Sequence, residues 1–215
     1  MEAVLSNLPS YWAGFRVTLE LLAVGGLGAL LIGTVVAFLR ISPIASLRWV
    51  ATTYTEVMRN TPLTLVFFFI MVVLPALQLG FQSKTGAYIA LSLYTSAFVA
   101  EALRSGINGV PVGQAEAARS VGLNFMQIVT LVVMPQAVRM VIPPLINVII
   151  ALTKNTSVAA GFVVVELIAV SKTLTNAHGD SVIPILLGIA VCYLVITIPL
   201  GRFAARIERK VAVLR

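Results

Sequence analysis

The stretch Leu21–Leu39, LLAVGGLGALLIGTVVAFL, holds 19 consecutive uncharged residues between Glu20 and Arg40. A helix rises about 1.5 Å per residue, so this run covers most of the about 30 Å of hydrocarbon in a bilayer. The composition around it points the same way. Hydrophobic residues make up 59% of the 215, charged residues 11%, and the mean hydropathy is +1.01. A soluble domain carries about 25% charged and about 45–50% apolar residues. A water-soluble fold this poor in charge would lack the polar surface to cover itself.

Three further runs have spanning character. Thr61–Ser83 holds 23 uncharged residues, Thr85–Ala100 holds 16 and Ser181–Gly201 holds 21. Met140–Thr153 holds only 14 between Arg139 and Lys154, but apolar character resumes at Val158–Val165. The expectation is an all-α integral membrane protein, one domain over 1–215, with about five transmembrane helices near 16–39, 61–83, 85–104, 138–160 and 181–201. The helix over 138–160 should kink near Pro143-Pro144 and carry Lys154 at membrane depth. Residues 1–15 hold Glu2 and no Lys or Arg, and the first apolar run is too long for a signal peptide's core, so it should stay as an anchor.

The net charge of +7 raises the question of nucleic acid. The cations sit at the ends of apolar runs, where they act as topology signals, so no nucleic-acid partner is expected. With the N-terminus outside, inner segments hold eleven Lys and Arg (Arg40, Arg48, Arg59, Arg104, Arg119, Arg139, Arg202, Arg206, Arg209, Lys210, Arg215) against four outside (Arg16, Lys84, Lys154, Lys172). That bias predicts a multi-pass protein of the cell membrane with an outer N-terminus and a cytoplasmic C-terminus. Cys192 and His178 are each the sole residue of their kind, so neither a disulfide framework nor a Cys/His metal site is expected. Gly25, Ala29, Gly33 and Ala37 recur every fourth residue in the first span and predict a face for close helix packing.

Between the third and fourth spans lies an unusually long connection, about 105–125, within Arg104–Phe125, RSGINGVPVGQAEAARSVGLNF. Ala115, Ala117 and Ala118 favour a short helix over 114–121, and Gly122 suits its C-terminal cap. Here Glu116-Ala117-Ala118, three intervening residues, Gly122, nine more, Val132, one more and Met134-Pro135 resemble the EAA loop of ABC importer permeases. Val132 and Met134 stand where that family usually has Ile and Leu. Glu56-x-x-Arg59-Asn60-Thr61-Pro62-Leu63, Tyr94 to Ile107, Pro135-Gln136-Ala137 and Lys154-Asn155-Thr156-Ser157 extend the resemblance to polar amino-acid permeases. The overall likeness is to glutamate-type permeases of actinobacteria.

The resemblance implies a type I ABC importer permease fold with a cytoplasmic coupling helix. Gln114, Glu116, Ala117, Ala118, Gly122 and Pro135 would then couple to a separate ATPase dimer. That partner would hold ATP and Mg, since this chain lacks a P-loop pattern of the form GxxxxGK[ST] and should need no cofactor of its own. An external amino-acid-binding protein and a second permease subunit, a sister chain or a second copy, complete the implied assembly in the lipid bilayer. The chain would be a transport subunit, not an enzyme. Glutamine, aspartate or a basic amino acid remain alternative cargoes. An ion-coupled transporter would instead show paired broken helices in matching halves, and no such half-to-half similarity is visible. A hydrolase would want a nucleophile beside a His or paired carboxylates, and the scattered acids fit that poorly.

Ionisable groups at membrane depth are costly, about 2.5–3.5 kcal/mol each on insertion scales, and so mark candidate sites. Lys154 could meet a substrate carboxylate, pair with Glu101 or Glu166, or snorkel to the outer interface. Asn155, Thr156, Ser157 and Glu101 could line the same pathway. Glu56 with Arg59, and Glu101 with Arg104, are three residues apart, which on a helix predicts structural or gate pairs.

Overall fold

Where apolar length suffices, the chain forms long helices; a computed structural model describes residues 2–212, so Arg215 lies outside the described residues. After one turn at Glu2–Leu5, α1 runs Leu8–Arg40 and α2 runs Ala45–Asn60. Next come α3 (Leu63–Ala76), α4 (Ser83–Asn108) and the short α5 (Val112–Ser120). The chain closes with α6 (Phe125–Phe162), α7 (Leu167–Ala177) and α8 (Val182–Ala212). Four of these segments are long and apolar enough to cross a membrane, and α2 with α3 gives a fifth when that bent pair counts as one span.

The core is a row of helix contacts, with α1 along α4, α4 against α6, and α6 against α8. Small residues let α1 approach. Gly25, Ala29, Gly33 and Ala37 are all buried on the α4 side, with Gly14, Thr18 and Leu21 continuing the stripe outward. A Cβ on Gly33 would fall 2.7 Å from the Ser96 carbonyl oxygen and 2.6 Å from the Val99 Cβ, so only glycine fits there. Leu21, Phe67, Leu91 and Leu152 fill the space beside this seam with no exposed surface to speak of.

Five boundaries differ from the apolar runs, the first four for a local reason. The first helix begins at Leu8 and not near 16, because Pro9 in its first turn needs no N–H partner. The run 61–83 is not one straight span. Pro62 forces Thr61 out of the helical region, to φ −94° and ψ 134°, and the chain turns by 105° between α2 and α3. That helix then stops at Ala76, where Gln78 takes φ 61° and Leu79 N–H closes the turn on the Leu74 carbonyl.

The fourth span starts before 138, at Phe125, because Asn124 and Gln127 cap it reciprocally. Its helix continues through Pro143 and Pro144 without a break, then tightens to a three-residue turn from Thr156 to Phe162. Helix α8 extends to Ala212, well past the apolar stretch 181–201.

Candidate functional site

At the inner end of the bundle, under the orientation expected above, one carboxylate gathers three guanidinium groups. Arg104, one turn along α4, and Arg40, at the end of α1, each donate to Glu101 at 2.5 Å. Arg59, at the end of α2, stands further off at 3.6 Å and is the most exposed of the three. Glu101 and Arg104 therefore form the pair expected from their spacing. Glu56 and Arg59 do not. The Glu56 carboxylate meets the Asn60 amide at 3.5 Å, and Arg59 turns toward α4, where both Glu101 and the face of Phe98 attract its charge.

Above this cluster lies a cavity of about 420 Å³ between α4 and α6, with Tyr94, Thr95, Phe98, Asn147, Ala151 and Asn155 in its wall. The Thr95 hydroxyl is buried without any hydrogen-bond partner, the one such side-chain atom among the described residues. The amides of Asn147 and Asn155 make no hydrogen bond to another described residue either. Thr95 is the buried one, and leaving its hydroxyl unpaired is expensive, while Asn147 is exposed and Asn155 half-buried. A polar molecule in this cavity would satisfy them. The Arg59 guanidinium carbon lies 5.9 Å from the centre of the Phe98 ring, so the cation sits at the edge of the same wall.

The Lys154–Ser157 run divides between roles. Of the four residues, only Asn155 is in the cavity wall. Thr156 and Ser157 donate to the carbonyls of Thr153 and Lys154, both at 2.7 Å, as the helix tightens. Lys154 is exposed and pairs with neither expected acid. Glu101 is taken by its arginines, and Glu166 accepts the backbone N–H groups of Ile168 and Ala169 and the Tyr193 hydroxyl. Thr95 and Asn147 were not singled out from sequence. The signal was available, since an amide in the middle of the apolar run 140–153 is uncommon, but a search for charges alone passes over it.

The candidate coupling segment is α5. It starts after Pro111, which sits in extended geometry, and ends where Gly122 takes φ +88°. There the N–H groups of Gly122 and Leu123 close on the carbonyls of Arg119 and Ala118. Ala118 is buried on the side where α5 packs against the turn 128–133, while Gln114, Glu116, Ala117 and Pro135 remain exposed. Val112, Val121, Phe125 and Met126 leave apolar side chains exposed around it.

Residues 29–213 match the model of the family described as binding-protein-dependent transport system inner membrane component. The chain belongs to that family. The permease is 40% identical to the glutamate transport system permease protein GluC of Corynebacterium efficiens, over 97% of this chain and 95% of that one. It is 37% identical to the probable glutamine ABC transporter permease protein GlnM of Bacillus subtilis, over 98% and 97% of the two chains. Among solved structures it resembles an amino acid ABC transporter crystallised with histidines, with a TM-score of 0.88, 28% identity and 96% of each chain covered. It is thus a membrane-embedded ABC permease subunit for amino acids and carries no ATPase machinery of its own, with hydrolysis belonging to a partner.

Proposed function

We propose that this permease forms the membrane pathway of an ATP-driven glutamate importer, working with a cytoplasmic ATPase dimer, an external binding protein and a second permease subunit. The observation that carries the cargo assignment is the 40% identity, over nearly full length, to a glutamate transport permease. The α4–α6 cavity, with Thr95, Asn147 and Asn155, is the segment of the pathway that meets the cargo. Helix α5, with Gln114, Glu116, Ala117, Ala118 and the Gly122 turn, receives the ATPase, and Pro135 begins the helix that carries its movement into the membrane. The exposed small residues allow the close backbone approach such docking needs. Its exposed apolar neighbours Val121 and Phe125 gain from being covered.

Glutamine is the second reading, favoured by the 37% identity to a probable glutamine permease. The two cargoes differ by one charge. In proteoliposomes holding the complete transporter, external glutamate delivered by the binding protein should accumulate only when ATP is inside. Uptake of glutamine with no uptake of glutamate would replace the first reading by the second. Uptake that proceeds without ATP would remove both.

A further inference from the structure

Three arginines share one carboxylate, so the inner cluster carries two surplus positive charges at the edge of a membrane-depth cavity. Arg59 and Arg104 are more than a third exposed at the bundle's end, so the surplus is hydrated and offers a positive field to an anion entering the cavity. Arg40, only 9% exposed, and Arg104 already hold Glu101 at 2.5 Å. Arg59 is the loosely held one, at 3.6 Å and 38% exposed. The other acid near it, Glu56, points to Asn60 on its own helix. The Arg59 guanidinium lies over Phe98, whose ring is wall of the cavity that holds the orphan Thr95 hydroxyl and the free amides of Asn147 and Asn155.

We propose that Arg59 is a cargo-binding residue. It leaves Glu101 to take a carboxylate of the amino acid, while Thr95, Asn147 and Asn155 supply hydrogen bonds along its length. This rests on the amino-acid pathway proposed above and adds to it a specific charge partner. A planar guanidinium suits the role because it grips a carboxylate with two parallel hydrogen bonds. Glu101 in turn keeps Arg59 aimed while the cavity is empty, and its remaining two arginines prevent it from being stranded as a bare charge when Arg59 departs.

The test is equilibrium binding of tritiated L-glutamate and L-glutamine to the purified permease–ATPase complex without the external binding protein. Arg59→Gln should weaken binding by about 10-fold or more, the loss of one charge-assisted carboxylate contact. Arg59→Lys, which keeps the charge without the fork, should fall between that variant and the wild type. Arg48→Gln, which removes an exposed cation of the same helix that touches only the Ser42 and Pro43 carbonyls, should stay within about 2-fold of wild type. Equal weakening for both amino acids would assign Arg59 to the α-carboxylate, and weakening for glutamate alone would assign it to the side chain.

The proposal is overturned if Arg59→Gln binds as the wild type does, or if Arg48→Gln loses as much. It is also overturned if the wild-type complex binds neither amino acid. ATP-driven uptake by the same preparation separates that last outcome from failure of the importer reading itself. Co-elution of each variant with its ATPase excludes misassembly.

Discussion

Glu166 is a fully buried acid lying between two spans, and it is held by hydrogen bonds, with no ion pair to it among the described residues. Its Oε1 accepts the N–H groups of Ile168 at 2.8 Å and Ala169 at 3.0 Å, capping α7, and its Oε2 accepts the Tyr193 hydroxyl at 2.8 Å. Burial pushes its carboxyl above the usual value of 4.5, and those hydrogen bonds only partly oppose the push. The folded protein therefore holds the proton more tightly than the unfolded chain, and stability is lost as pH rises from about 4.5 through the folded value. Glu166→Gln keeps an oxygen for the cap and removes the titration. Its melting midpoint should fall less than that of the wild type over this range. Glu166→Ala should cost about 1–3 kcal/mol below about pH 4.5, from the lost cap and the orphaned Tyr193 hydroxyl, and less as pH rises. Parallel pH slopes for wild type and Glu166→Gln would disprove this account. At this scale sequence reading succeeds where spacing is itself the cause. Gly25, Ala29, Gly33 and Ala37 line one face because a helix repeats near every fourth residue. It fails for Arg59, whose partner is chosen by a contact between helices that no local spacing encodes.

Among the elements, α5 depends on one backbone angle. Gly122 at φ +88° lets the chain reverse, and a side chain added there would meet no neighbour within 4 Å, so the strain of substitution is purely conformational. Left-handed backbone costs an L-residue about 1–2 kcal/mol. Gly122→Ala is therefore expected to shift the orientation of α5 without disturbing the buried seam of α1 and α4. ATPase activity should persist while amino acids moved per ATP fall by about 5-fold or more, since 1 kcal/mol spent on reorienting the helix changes a population by roughly that factor. Full coupling efficiency in Gly122→Ala would show that the turn is not what positions the helix. The turn was legible because glycine after an alanine-rich stretch is a direct local signal. The α2–α3 bend was not read. Ala45–Asn60 buries Ala51 and Thr55 but carries Arg48, Glu56 and Arg59 along its length, so it never forms a long uncharged run. A search for spans sees only the apolar half of that pair, and Pro62 is the visible clue to the break.

For the whole molecule, two ionic groupings lie toward opposite ends of α1. Glu20 meets Lys84 at 3.0 Å and the Tyr88 hydroxyl at one end, and Arg40 meets Glu101 at 2.5 Å at the other. Glu20 and Arg40 are 20 residues apart on one helix. At about 1.5 Å per residue that separation is about 30 Å, the thickness of the hydrocarbon, so these groupings mark the two interfaces. The excess of Lys and Arg on one set of segments favours the proposed orientation, in which the Arg40 end faces the cytoplasm and the Glu20 end faces outward. Gln82, just before α4, and Ala45, at the start of α2, are both exposed and lie toward these opposite ends. With Cys192 replaced by serine, Gln82→Cys should react in intact cells with a membrane-impermeant maleimide. Ala45→Cys should react only after the membrane is opened. The reverse pattern would place α5 outside, beyond the reach of any cytoplasmic ATPase, and would remove the mechanical basis for ATP-driven import together with the assigned inner end of the Arg59 cluster.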